Sequence, residues 1–387
     1  MTNPGALSRP AFDDAEYERR LAAVRQSMAD RELDALLVSH PQNVYYLTGY
    51  RGFFYAGLAL TLGQISAALV RHDGPPALFI RGLERNLAES YCWGGVDIRP
   101  YPDHEDSYEA IAGTLPAEAS RLGVEFADIT ALQLDRMRAA TGAEIADASM
   151  LVDLLRRVKS AAEIAYVREA SRLANLGIET AIELAAPGIR ISELVARVTT
   201  AMYEEGQDDV TLAAAYAYTG PTGGFMHETA LDGIVEEGHV LNIGINGISH
   251  AYTAECLTSV YAGTPAAEMA EAYSVAVALH DAAREALLPG ATGADVHANV
   301  DAVHRQSGRG PYRRRVGGAI GINGQPGLFF EGYSLMEGAT EPLAEGVLMN
   351  IQPGVDDPAM LIVHSLNLMT ATGYEELVPP HRELIAC

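Results

Sequence analysis

The chain has 387 residues, room for two domains at roughly 150 residues each, and its 48% hydrophobic against 20% charged residues exclude a disordered chain. With 51 acidic against 27 basic side chains the net charge is −24, a sign that repels phosphate backbones and anionic lipid and sets nucleic acid and membrane surfaces aside as partners. Cys92, Cys256 and Cys387 lack metal-ligand spacing, no basic-then-apolar leader opens the chain, and no apolar run approaches the ~20 residues that span a bilayer; the expectation is a cytoplasmic protein with free thiols.

Between Phe12 and Asp30 the apolar residues Leu21, Val24 and Met28 recur at helical spacing, and Leu33 to Val38 then reads as a short buried strand. Strands are predicted at Ile65 to Val70 and Ala77 to Ile80, split by the turn residues His72-Asp73-Gly74-Pro75-Pro76. This α/β part closes near Met150. A long helix follows from Ala161 to Leu184, stopped by Pro187-Gly188, and another begins at Ser192 with Glu193 in its first turn. Strands are expected at Val240 to Ile245, Ala251 to Tyr261, Val347 to Gly354 and Leu361 to Gly373, with helices at Pro265 to Ala286 and Ala294 to Gln306. Helices, hairpin, helices and more strands make an α+β layout. The glycine-rich pieces Gly220 to Gly224 and Gly317-Gly318 lack a phosphate-loop pattern and read as turns.

Several segments in one order, NVYYLTGYRGFFYA (43–56), the stretch from Arg156 to Leu194, MHETALDGIVEEGHVLNIG, RRVGGAIGI, LAEGVLMNIQPG and LIVHSLNLMTATGYEELV, resemble creatinase, ectoine hydrolase and the Xaa-Pro peptidases. The resemblance spans nearly the whole chain. It implies an N-terminal α/β creatinase-type domain over residues 1–157 and a C-terminal "pita-bread" domain over 158–387, whose curved antiparallel sheet cradles the site. The metallopeptidase members hold two divalent cations with two Asp, one His and two Glu, oxygen-rich ligands that suit hard cations. Here those positions fall on Asn242, on or beside Ala254 with Glu255 next to it, on Gly318, on Gln352 and on His364. Neutral Asn, Gln and Gly cannot offset the charge of two cations, so no metal and no other cofactor is expected.

Creatinase resembles this chain in lacking the metals, and the resemblance carries a catalytic histidine onto His227 and a second histidine onto His364. Tyr252-Thr253-Ala254 is similar to a creatinase run, although the acid that follows comes one position earlier, as Glu255. The implied reaction is hydrolysis of a C–N bond of amidine, guanidine or amide type in a small nitrogenous carboxylate. An imidazole of pKa about 6.5 can take a proton from water and return it to the leaving nitrogen. Glu255 would steady a cationic substrate or attack it; its strand position leaves a solvent-facing role open. His364 lies in an apolar run, so a buried structural role is open too. Cys256 has no basic neighbour to activate it and reads as a packed thiol.

The residues expected to bind substrate are Arg51, Phe53, Tyr252, Asn242, Gln352 and Glu331. Arg51, Phe53 and Phe54 match a loop that in creatinase-like dimers reaches the partner subunit's site, so a homodimer is implied, with Arg51 able to clamp a carboxylate in bidentate fashion. The run Arg313-Arg314-Arg315 either attracts a carboxylate or is a solvated charge run. The alternatives are a non-catalytic binding protein, a lyase or biosynthetic enzyme on the same scaffold, and an Xaa-Pro metallopeptidase.

Overall fold

A computed structural model describes residues 10–52, 65–102, 105–209, 212–224, 230–322 and 332–387. The chain divides into two compact units, Met1–Leu155 and Arg156–Cys387.

In the first unit, helix α1 (Asp14–Asp30) begins two residues later than its apolar spacing suggests, because Asp13 caps it by accepting from the Glu16 amide at 2.9 Å. Strand β1 (Ala35–Val38) is buried at every position, as expected of a strand covered on both faces. The segment similar to a family loop turns out to start as helix α2 (Pro41–Thr48), whose Val44 to Leu47 are all buried, and it ends at Gly49 in the left-handed region. Strands β2 (Ala67–Arg71) and β3 (Ala77–Arg81) form the expected hairpin. Then come helix α3 (Arg85–Tyr91), strand β4 (Asp97–Tyr101), helix α4 (Ser107–Ala112), strand β5 (Arg121–Val124), helix α5 (Ala131–Thr141), strand β6 (Glu144–Asp147) and helix α6 (Leu151–Arg156). The strands make a mixed sheet in the order β4-β3-β2-β1-β5-β6. Glu125, just past β5, accepts from the Ser39 and His40 amides at 2.6 and 2.7 Å and from Asn43 Nδ2 at 2.6 Å. It thereby satisfies the amide of the His40 N-cap and of the residue before it at the start of α2, while burial pushes its carboxyl up to about 8.

The second unit opens with helix α7 (Ala161–Leu184), started by a reciprocal Ser160–Glu163 capping box, and helix α8 (Ile191–Glu204). Strands β7 (Ala215–Gly220), β8 (Val240–Ser249) and β9 (Tyr252–Tyr261) pair antiparallel. Strand β8 runs four residues past its predicted end at Ile245. Gly247, which reads as a breaker, is what lets the strand continue: a Cβ there would lie 2.0 Å from the Ala170 carbonyl of α7. Helices α9 (Ala267–Ala286) and α10 (Gly293–Gln306) follow, the latter capped by Thr292.

The remaining strands are β10 (Gly317–Ala319), β11 (Ser334–Leu335), β12 (Leu348–Ile351), β13 (Gly354–Val355), β14 (Leu361–Ile362), β15 (Ser365–Thr370), β16 (Gly373–Val378) and β17 (Ile385–Ala386). They form a second sheet in the order β11-β10-β12-β15-β16 and a separate β13-β14 pair, while β17 joins the edge of β9. Gly317-Gly318 is therefore strand rather than turn; a Cβ on Gly317 would meet the Asn350 carbonyl at 1.9 Å, so the two strands approach too closely for a larger residue. The run from Leu361 to Gly373 is likewise not one strand but β14 and β15, separated at Val363-His364. The main core of this unit packs Ala276, Leu279 and Ala283 of α9 and Val296 of α10 against Met349, Ile351, Leu361 and Val363. Among the described residues no helix is long and apolar enough to cross a membrane.

Candidate active site

Directly paired residues in an antiparallel ladder share a face, and successive residues alternate. On β7 and β8, Tyr216 lies opposite Gly244 and Tyr218 opposite Asn242; on β8 and β9, Asn246 lies opposite Glu255 and Asn242 opposite Ser259. These residues form one face. Tyr252, Ala254 and Cys256 form the other, which packs on α7: Tyr252 is fully buried and its hydroxyl donates to Glu163 Oε1 at 2.7 Å.

The second sheet reaches the same face as Glu255. Asn350 of β12 stands opposite Gly318 of β10 and Leu366 of β15, and its Nδ2 donates to Glu255 Oε2. Tyr216 Oη donates to the other oxygen, Oε1, at 3.0 Å. Glu255 is only 5% exposed, so the solvent-facing alternative is excluded. Burial raises its carboxyl from the usual 4.5 to about 7, although both hydrogen bonds favour the anion. Burial, then the neighbouring Glu255, in turn pushes the Tyr216 phenol well above its ordinary value. An apolar cluster of Tyr218, Met360 and Ile362, with Tyr216 and Leu257 against it, lines the same surface.

His364 belongs to this face by alternation. Met360 and Ile362 before it are in the apolar lining and Leu366 after it pairs with Asn350, whereas Leu361 and Val363 enter the main core and Ser365 Oγ lies 2.8 Å from His280 Nε2 of α9. It is 1% exposed, and neither ring nitrogen has a hydrogen-bond partner among the described residues. Burial, with His280 nearby, lowers its pKa to about 3, so the ring is neutral at physiological pH. A neutral imidazole of such low basicity offers an N–H or a lone pair to a ligand and is a poor proton acceptor.

The other expected residues divide. Asn242 is consumed by structure: its Nδ2 donates to the Gly223 carbonyl at 2.9 Å and the Met360 carbonyl at 3.2 Å, and its Oδ1 accepts from Ser259 Oγ at 2.5 Å. With both donors of the amide used, it ties the turn after β7 to the loop before β14 and has little left for a substrate. Tyr252 belongs to the α7 side, opposite Glu255. Gln352, two residues beyond Asn350, is half-buried and donates its main-chain N–H to the Val316 carbonyl at 2.8 Å. Arg51 is half-buried beyond the α2 cap in the first unit. His227, Phe53, Phe54 and Glu331 lie outside the described residues. Arg314 pairs with Asp356 at 2.9 Å. Cys256 is buried, and burial raises its thiol pKa, which leaves it a packed thiol.

A pair of divalent cations does not fit the donors at the five family positions. Glu255 is the one carboxylate there, both its oxygens already accept hydrogen bonds, Asn242 is saturated, Gly318 has no side chain and Gln352 is neutral. Among the described residues no three His, Cys, Asp or Glu gather in a group that could hold a metal.

Tyr216 and Asn350 escaped the sequence reading. The signal available was period two: Asn350 precedes Gln352 by two and so shares a face with a residue already singled out, while Tyr216 and Tyr218 flank a small residue in AYAYTG and mark one face of a strand.

Residues 165–372 match the profile of metallopeptidase family M24, and residues 20–158 that of the creatinase/prolidase N-terminal domain. The ectoine hydrolase of Halomonas elongata is 29% identical over 403 residues, covering 96% of this chain and 98% of that protein. Two solved structures share the fold. Dipeptidase PepE from Mycobacterium ulcerans has a TM-score of 0.81 at 24% identity, over 97% of this chain and 99% of that one. The Xaa-Pro dipeptidase from Bacillus anthracis has a TM-score of 0.81 at 18% identity, over 96% and 100%.

Proposed function

Because the chain belongs to metallopeptidase family M24, a family of hydrolases, with a creatinase/prolidase N-terminal domain ahead of the catalytic one, we propose that it hydrolyses a C–N bond of amidine, guanidine or amide type in a small nitrogenous carboxylate, without a divalent cation. The observation that carries this reading is Glu255: a buried carboxyl pushed up to about 7 by desolvation, between a tyrosine and an asparagine, where the family's cation ligands would lie. A carboxyl so placed can exchange a proton with water at neutral pH. The likeness to an ectoine hydrolase supports a non-peptide nitrogen substrate.

In the proposed reaction Glu255 takes a proton from water as the water oxygen bonds to the substrate carbon. The C–N bond then breaks, its electron pair leaves on nitrogen, and His227 supplies that nitrogen's proton; the proton on Glu255 returns to solvent as His227 recovers its own. Tyr216 and Asn350 hold the carboxylate in place, and His364 serves as a neutral hydrogen-bonding group. Gln352, Glu331, Arg51 and Phe53 are proposed to contact the substrate, the last two by way of the loop that in creatinase-like dimers reaches across to the partner, and the protein is proposed to be a cytoplasmic homodimer. Turnover should survive exhaustive chelation. Activity that disappears with the chelator and returns only with manganese, zinc or iron would sink the proposal.

A further inference from the structure

Around Glu255 the sheet face holds buried oxygens without a hydrogen-bond partner among the described residues. Asn246, directly opposite Glu255, commits its Nδ2 to the Ala213 carbonyl at 2.8 Å and leaves Oδ1 without a partner among the described residues. Asn350 commits its Nδ2 to Glu255 and leaves its own Oδ1 in the same condition. Thr253, two residues before Glu255 on the same face, has a buried Oγ1 with no partner among the described residues. These side chains are almost fully buried, at 2%, 0% and 1% exposure. A buried polar atom without a partner is uncommon in folded proteins, and three beside one carboxylate call for a common explanation.

We infer that Asn246, Asn350 and Thr253 form an acceptor set that selects a substrate head bearing at least two N–H donors beside the carboxylate of Glu255. Amidinium and guanidinium groups present such donors in a plane. The tertiary amide of an Xaa-Pro bond presents no N–H, so that bond itself cannot pair these oxygens, and the donors of such a dipeptide sit instead on a tetrahedral terminal ammonium. The distinction matters because a site built to hydrogen-bond a group rejects analogues that lack it far more strongly than an apolar pocket rejects a missing methylene. The chain thus shares its fold with Xaa-Pro dipeptidases while its polar lining suits a different head group. This deepens the proposed function and rests on its placing the substrate at Glu255.

The test is a binding measurement on the full chain, which separates recognition from turnover. Acetamidinium carries the N–H donors; tetramethylammonium carries the same charge without them. Acetamidinium should bind at least tenfold more tightly by calorimetry. Thr253→Val, which swaps the hydroxyl for a methyl of similar shape, should raise the melting temperature of the free protein and weaken acetamidinium binding by about tenfold, since the hydroxyl costs stability until a ligand meets it. A merely structural threonine would not move the two readouts in opposite directions. Equal binding of the two cations, binding of neither, or a Thr253→Val protein that is less stable or binds acetamidinium unchanged, would overturn the inference. If the selectivity holds and no C–N bond is cleaved, the proposed reaction fails and the acceptor set stands.

Discussion

Tyr252 and Glu255 sit three residues apart on β9 and occupy opposite environments. On the α7 side, Tyr252 is buried with its hydroxyl on Glu163, Cys256 is packed, and Gly247 lets the strand lie against the helix backbone. On the other side, Glu255 is held by Tyr216 and Asn350 among side-chain oxygens left unpaired. One ladder therefore does two jobs, and alternation assigns them: Tyr252, Ala254 and Cys256 secure the fold, while Thr253 and Glu255 hold polar groups at a cost in stability that a ligand offsets.

The widest separation between the faces should come from Glu255→Gln. The amide keeps the shape and at least one hydrogen bond but cannot shuttle a proton, so kcat should fall by about 10²- to 10⁴-fold while the protein remains folded by circular dichroism. Turnover within a few fold of wild type would remove Glu255 from the chemistry.

Acidity offers a second handle. The folded-state pKa of Glu255 stands near 7, above the ordinary 4.5, so the folded protein holds this proton longer than the unfolded chain does. Stability should decline as pH rises from about 4.5 to about 7 and level off above, by on the order of 3 kcal/mol from this group. Glu125, raised to about 8, acts with the same sign in the first unit. Buried His280 and His364, both lowered to about 3, act oppositely and cost stability as pH falls from about 6.5 toward 3. Denaturant titrations at several pH values should show Glu255→Gln with a flatter profile between 4.5 and 7; an unchanged slope would mean the carboxyl is not desolvated.

The smallest effect belongs to the α7 side. Tyr252→Phe leaves a Glu163 oxygen without its donor and should cost about 1–2 kcal/mol of stability with kcat unchanged. A loss of turnover without a loss of stability would place Tyr252 in the pocket, as its sequence context first suggested.

Legibility followed the same division. Helix α7 could be read from its long helical pattern and the Pro187-Gly188 stop, and β9 from its β-rich composition, because both signals are local. Glu255 and His364 could be singled out, since both stand on or next to family ligand positions. Asn242 could be noticed but not understood: its amide is spent on the Gly223 and Met360 carbonyls, 19 and 118 residues away. Strand β8 was expected to end at Ile245, short of its true end at Ser249, because a glycine such as Gly247 weakens a strand in general, and the α7 backbone that requires Gly247 lies in another part of the chain.

The sequence by itself determined the family, the order of helices and strands and the shortage of anionic ligands, all of which depend on residue types and their spacing. Tertiary structure alone decided which face each residue takes, that Asn350 from β12 meets Glu255 from β9 across 95 positions, and that this carboxyl titrates near 7. Hydrogen-bond partnership and desolvation depend on distance in space, and distance along the chain carries almost none of that information.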